Sequence, residues 1–257
     1  IADVFEIEPV PRPPVLCAGC PHTSSYMVLR QVEARVAGDI GCYTLAAVEP
    51  LRAIDTCVSM GSSIANAVGM AKSGVEEKPI VATIGDSTFL HAGIPPLIDA
   101  VYNEANITVM LLDNHTVAMT GGQDHAGTGK TLRGDETHRL NFEDVCRAVG
   151  VKWVQTVDSY DLGAMYKTLR EAMTTAQGGL KVIIADGECQ LARQRRIRPQ
   201  IAKQLADGDR VVRTRFGVDD DVCTGDHSCI RLSGCPSLTL KPNPDPLRDA
   251  PVTHVNN

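Results

Sequence analysis

Aromatic side chains are scarce. Phe, Trp and Tyr make up 4% of the chain, so a core has to be built mostly from Val, Ile, Leu and Ala. Apolar content of 43% is ordinary for a globular protein, and 257 residues suffice for one large α/β domain with a small appendage. Excess positive charge is missing as well. A formal net charge of −6 gives no electrostatic footprint for nucleic acid or an anionic membrane, so neither is expected as a partner. No apolar run reaches the roughly 18 residues that a bilayer-spanning helix needs. There is no signal peptide, and a cytoplasmic location is the expectation. Ile1-Ala2-Asp3 carries no initiator Met, and Thr253 to Asn257 has no closing element, which reads as an excerpt of a larger polypeptide. A second Cys-x-x-Cys pair is also lacking, and a zinc ribbon needs two.

Cysteine, by contrast, is plentiful. Nine Cys are an odd number for a disulfide framework and too many for inert core filler. In a chain without a secretion signal, clustered Cys point to metal or redox chemistry. Cys17-Ala18-Gly19-Cys20 follows a Pro-rich stretch, residues 1–15, that reads as an extended linker. A thioredoxin-like pair belongs after a strand, so an iron–sulfur cluster is the better reading, and it needs four ligands.

The rest of the chain is organised around Pro79 to Gln123. A short apolar run, Ile80 to Ile84, stops on Gly85-Asp86-Ser87. A helix-compatible segment from Ile94 to Glu104 follows, and a second apolar run, Ile107 to Leu112, stops on Asp113-Asn114. The runs have the length and β-branched content of buried parallel strands, and the segment between them fits a crossover helix. Asp86 and Asn114, 28 positions apart, would then arrive at one crevice, since neighbouring parallel strands share their carboxyl ends. Two hard oxygen ligands there suit a Mg²⁺ that carries a diphosphate.

Gly85-Asp86-Ser87, the spacing and Asp113-Asn114 resemble the thiamine diphosphate signature, Gly-Asp-Gly to Asn-Asn, with Ser87 and Asp113 departing from its commonest form. Thr120-Gly121-Gly122-Gln123 resembles the Thr-Gly-Gly-Gln of 2-oxoacid:ferredoxin oxidoreductases. Cys17 to His22 and Gly38-Asp39-Ile40-Gly41-Cys42 resemble the indolepyruvate enzymes of that family. The resemblance implies a doubly wound, mostly parallel α/β fold over residues 16–206 and an incomplete ferredoxin-like module over 207–257. Its ligand assignments are Asp86, Asn114 and the Thr116 carbonyl for Mg²⁺. Thiamine diphosphate would be held by Met60, Gly61, Gly85, Asp86, Ser87, Asn114, Thr116, Thr120 and Gly121, with His22 close to the diphosphate as a positioning residue. Cys17, Cys20, Cys42 and Cys189 would ligate a proximal [4Fe-4S] cluster. The implied reaction is oxidative decarboxylation of an aryl 2-oxo acid to its acyl-CoA, with coenzyme A as acceptor and ferredoxin or another carrier taking the electrons. No residue reads as a general base, so the activating Glu is expected from a partner domain, and a dimer of the thiamine-binding unit is expected. The alternative is a non-redox thiamine-dependent decarboxylase or carboligase with structural cysteines.

Elsewhere the pattern predicts a helix starting near Thr23 or Ser24 and running toward Val36, and a short strand at Gly38–Cys42. Cys57 to Ala71 is small and Gly-rich and helical in its second half, with Cys57 a buried or cofactor-lining thiol. Helix, strand, helix and strand follow over Asn141–Val149, Val151–Val157, Leu162–Thr175 and Leu180–Ala185, with Asp158 to Asp161 as a cap. Gly129-Lys130-Thr131 mimics the end of a phosphate loop, but Asp124 stands where its first Gly belongs, so ATP binding is rejected. That polar segment is instead expected over the crevice, where His115 and His125 would face substrate or solvent. Arg193, Arg195, Arg196 and Arg198 read as a solvated helix start or a docking patch. In the tail, Cys223, Cys229 and Cys235 follow a ferredoxin-like run with Asp226 in a ligand position, where it would give iron an oxygen or leave that iron out.

Overall fold

The computed structural model describes residues 10–74, 77–212, 214–235 and 237–256. Most of the Pro-rich stretch and Pro236 of the Cys-Pro pair lie outside these residues. The chain divides into two compact units, Gly19–Arg196 and a second formed by Ile1–Ala18 with Ile197–Asn257.

In the larger unit the elements run α1 (Pro21–Gln31), β1 (Arg35–Gly38), a 3₁₀ turn (Cys42–Ala47), β2 (Thr56–Cys57), α2 (Ser63–Ser73), β3 (Ile80–Gly85) and α3 (Asp86–Thr88). After a π-helical turn (Phe89–Gly93) come α4 (Ile94–Tyr102), β4 (Thr108–Asp113), α5 (Phe142–Ala148), β5 (Trp153–Asp158), α6 (Leu162–Thr174), β6 (Lys181–Asp186) and the start of α7 (Gln190–Ala206), whose residues from Ile197 on belong to the second unit. The six strands pair in parallel in the order β2-β1-β3-β4-β6-β5. Alternation along the central strands feeds two cores. Val109 and Leu111 of β4 pack with Ile64, Leu97 and Phe142 on one face. Met110 and Leu112 pack with Tyr26, Leu29, Met165 and Leu169 on the other. This is the expected doubly wound sheet, with helices burying both faces.

Local chemistry sets the ends of these elements. Asn141 caps α5 by accepting from Glu143 and Asp144 N–H, and Asp161 caps α6 by accepting from Ala164 N–H. Pro95 and Pro96 bring no N–H to the first turn of α4, and the helix before them is wound as a π turn rather than an α turn. Three expectations need correction. The first helix starts at Pro21, whose ring suits a first helical position, and ends at Gln31. Val36 therefore lies in β1 rather than at a helix end, and the strand stops at Gly38, leaving Asp39 to Gly41 as a turn. The crossover helix α4 starts at Ile94 as expected but ends at Tyr102, not Glu104, which has a φ of 49°, and helical winding already begins at Asp86.

The second unit holds α8 (Ser228–Ser233) and an antiparallel pair, β7 (Leu238–Lys241) with β8 (Val252–Val255). Ile230 and Val252 are fully buried in it.

Candidate cofactor site

Strand register places Gly85 beside Leu112, so Asp86 and Asp113-Asn114 leave the sheet as neighbours. Asp86 is 2% exposed and Asn114 7%. The Asp86 carboxylate accepts from Ser87 N–H at 2.6 Å through Oδ1 and from Asn114 N–H at 3.2 Å through Oδ2. Asn114 is held from both ends of its amide. Its Oδ1 accepts from Thr116 N–H at 3.2 Å, and its Nδ2 donates to His22 Nε2 at 2.9 Å. His22 Nε2 is therefore an acceptor, which makes the ring neutral with its proton on Nδ1. Burial reinforces this, lowering the His22 pKa to about 4 against the opposing pull of Asp86. The Tyr43 ring meets His22 edge-on at 5.7 Å.

His22, Cys42, Met60, Gly85, Ser87 and Thr120, with Asp86, Asn114 and Thr116, line one cleft at the carboxyl ends of β3 and β4. Gly85 is required there, because a Cβ would lie 2.7 Å from the Tyr43 ring. Gly61 sits at φ +85° with Ala92 Cβ only 2.4 Å from where its own Cβ would be. The loop carrying Gly61 is organised by Asp39, a residue sequence reasoning passed over. Fully buried, Asp39 accepts from Ile40, Gly61 and Ser63 N–H at 2.8, 2.7 and 2.9 Å, and so also serves the first turn of α2. The Gly61 and Ser63 partners that give it this role lie more than 20 positions downstream, so no local pattern announces it.

The donor set suits Mg²⁺, which takes oxygen ligands. Asp86 offers a buried carboxylate and Asn114 an oriented amide oxygen. The Thr116 carbonyl accepts no hydrogen bond from any described residue. Asp113, the departure from the usual Asn, is buried, which pushes its pKa up to about 6, with Asp86 adding to the rise. His115, at φ 62°, donates to Asp186 across 2.5 Å, and this bond raises the His115 pKa and lowers that of Asp186. Asp113, His115 and Asp186 alone among the described residues bring three His, Cys, Asp or Glu ligand atoms within 4.8 Å of one another. His125 is not a surface imidazole: its side chain is 9% exposed and Nε2 lies 3.2 Å from Asp86 Oδ2.

The Thr120 to Gln123 segment forms a tight loop. Val117 bridges Gln123, Gly121 and Gly122 take φ of 124° and 82°, and Thr120 Oγ1 donates to Gln123 Oε1 at 2.7 Å. Gly121 lies outside the cleft lining and gives its carbonyl to Arg195 at 2.7 Å. Arg196 pairs with Glu188, and no residue of α7 is buried.

Of the expected cluster ligands, Cys20 and Cys189 are brought to one side chain. Tyr160 lies within electrostatic reach of both thiols. Its hydroxyl donates to Gly19 O at 3.0 Å, with Glu188 O at 3.4 Å, and accepts from Gln190 Nε2 at 2.6 Å. Cys189 N–H also donates to Asn114 O at 3.0 Å. Cys42 lines the cleft, and Cys17 is exposed in the second unit. Cys57, expected to be buried or to line the cofactor, is exposed, with its thiol 3.6 Å from Asp39 O. In the tail, Cys223 and Cys235 are half-buried, and Cys229 Sγ lies 3.3 Å from Thr253 Oγ1. The Asp226 carboxylate accepts from Ser228, N–H and hydroxyl, and from Thr224 Oγ1, and these bonds lower its pKa.

Comparison with known proteins agrees with this geometry. Residues 39–185 match the family model described as thiamine pyrophosphate enzyme, C-terminal TPP binding domain. The chain is 39% identical over 254 residues to the indolepyruvate oxidoreductase subunit IorA of Thermococcus kodakarensis, covering 93% of this chain and 37% of that protein. It is 38% identical over 260 residues to the Archaeoglobus fulgidus subunit of the same name, covering 90% of this chain and 40% of the relative. It thus spans about two fifths of the length of these curated relatives. In structure it is similar to a 2-oxoglutarate:ferredoxin oxidoreductase from Magnetococcus marinus, with a TM-score of 0.61 at 16% identity over 74% of this chain and 70% of the other, a likeness of fold. The chain belongs to the thiamine pyrophosphate enzymes, as their C-terminal TPP binding domain.

Proposed function

We propose that the chain is the thiamine-binding part of a 2-oxoacid oxidoreductase that oxidatively decarboxylates an aryl, indolepyruvate-like 2-oxo acid to its acyl-CoA and passes electrons through [4Fe-4S] clusters to ferredoxin or another carrier. The observation that carries the reading is the pairing of Asp86 with Asn114, two buried oxygen donors joined by one hydrogen bond at adjacent strand ends. Asp86, Asn114 Oδ1 and the Thr116 carbonyl would hold Mg²⁺. Met60, Gly85, Ser87 and Thr120 of the cleft would line the place of thiamine diphosphate, with Gly61 and Gly121 in the adjoining loops, and the cofactor when bound supplies a sink for the electron pair left by departing CO₂. His22 acts through Asn114. By accepting from Nδ2 it would orient Oδ1 toward a bound ion, a supporting contact of the kind that fixes ligand orientation. Cys17, Cys20, Cys42 and Cys189 are our assignment for the proximal cluster, supported by the Tyr160 tie between the Cys20 and Cys189 loops. Cys223, Asp226, Cys229 and Cys235 are assigned to the tail. The aryl substrate rests on the names of the relatives at 38–39% identity. The activating Glu is assigned to a partner domain or subunit.

The test uses the full-length protein with its partner, purified without oxygen. Iron, sulfide and EPR spectra are measured before and after adding an aryl pyruvate and coenzyme A. Cluster reduction that requires both thiamine diphosphate and the aryl pyruvate is the expected result. Reduction by a different 2-oxo acid only would replace the substrate, and protein without iron would move the reading to a non-redox thiamine enzyme.

A further inference from the structure

His125 has one buried polar atom that no described residue satisfies. Its Nδ1 accepts from Gly127 N–H at 3.1 Å, so in the neutral ring the proton sits on Nε2. That Nε2 is inaccessible and has no hydrogen-bond partner among the described residues. Asp86 Oδ2 lies 3.2 Å away, but off the line of the N–H, and already accepts from Asn114 N–H. An unsatisfied buried donor is destabilising, and proteins rarely carry one without a reason. The ring cannot turn into a metal ligand through Nε2, because moving the proton to Nδ1 would set it against the Gly127 N–H. Mg²⁺ prefers oxygen in any case. What the donor lacks is an acceptor arriving beside Asp86. Ligand atoms around Mg²⁺ stand roughly 3 Å apart, so a donor 3.2 Å from one ligand oxygen is placed to meet a second oxygen on the same ion.

We propose that His125 is a further cofactor-binding residue, whose Nε2–H donates to a phosphate oxygen of the diphosphate held at Asp86 and Asn114. The inference rests on the thiamine diphosphate reading and assigns a role to the 124–131 loop that the signature residues do not cover. Arg139 fastens the loop from the other side by donating to Gly127 O at 3.0 Å, the residue that also sets the His125 tautomer.

The experiment measures binding of thiamine diphosphate, and separately of inorganic diphosphate, to the full-length protein at saturating Mg²⁺ by calorimetry. Wild type is compared with His125→Ala and with His125→Gln, which keeps an N–H donor. A hydrogen bond to a charged acceptor corresponds to roughly 10- to 100-fold in affinity. His125→Ala is expected to lose that much for both ligands, with Gln recovering most of it. Affinity for either ligand within twofold of wild type in the Ala variant would overturn the proposal. So would a loss that Gln does not repair, since a packing role would respond to side-chain shape rather than to the donor. Should the Ala variant not fold, the Gln variant decides against a second substitution, His125→Leu. Wild type that fails to bind thiamine diphosphate with Mg²⁺ would overturn the reading beneath the proposal, an outcome visible without any substitution.

Discussion

At the scale of single residues the site is a set of buried carboxyl, amide and imidazole groups at adjacent strand ends. Asp86→Asn should lower Mg²⁺-dependent thiamine diphosphate affinity by more than the roughly 10- to 100-fold that loss of a supporting residue brings, because it removes a ligand itself. Calorimetry with and without Mg²⁺ checks this, and an unchanged affinity would remove Asp86 from the site. His22 leads to a pH prediction for the metal-free chain. Its pKa falls from 6.5 unfolded to about 4 folded, so the unfolded state binds the extra proton between these values. Its contribution is complete above about pH 6.5 and is lost as pH falls toward 4. The shift corresponds to about 3 kcal/mol. Asp113, raised by burial, runs in the opposite direction up to about pH 6, so total stability would blur the two. The difference between wild type and His22→Gln isolates one. That difference should move by about 3 kcal/mol in favour of the variant between pH 7 and pH 4, read from urea unfolding at each pH.

At the scale of elements, glycines mark where backbone must come close. Gly61→Ala would force a Cβ to 2.4 Å from Ala92 Cβ at a φ of +85°, and overpacking with left-handed strain should destabilise by about 2–4 kcal/mol. Gly69, in the middle of α2, meets nothing within 4 Å, so Gly69→Ala should stabilise by about 0.5–1 kcal/mol. Urea midpoints moving in opposite directions would bear this out. The contrast also shows what the sequence makes legible. β3, β4 and β6 announce themselves as apolar runs because both sheet faces are covered, and Asp86 and Asn114 follow from where those runs stop. Helix starts set by Asn141 and Asp161 are legible because each cap bonds N–H groups only two or three residues on. Asp39 and His125 are not, because what defines them is a partner distant in sequence or a missing one. α1 starts at Pro21 rather than after a Thr23 or Ser24 cap because the proline ring fits the first turn and no side chain caps it.

At the scale of the molecule, three loops of the larger unit converge beside the cofactor cleft. One carries Cys20, one follows β6 to Cys189, and one carries Tyr160 after β5. The Tyr160 hydroxyl touches a carbonyl next to each Cys, Gly19 O and Glu188 O, and is itself held by Gln190. If these thiolates share a cluster, Tyr160 fixes the span between two ligands without being one. Two substitutions then separate ligand from scaffold. Cys189→Ser in the full-length protein, purified without oxygen, should lower iron by about the four atoms of one cluster while thiamine diphosphate affinity stays within about twofold. Tyr160→Phe keeps the ring and removes only the hydroxyl. It should leave iron unchanged on purification but speed the loss of visible absorbance in air, because two ligand loops are no longer tied. Equal bleaching rates would confine Tyr160 to packing. Unchanged iron in Cys189→Ser would take that residue out of the cluster and leave the tie without a function there.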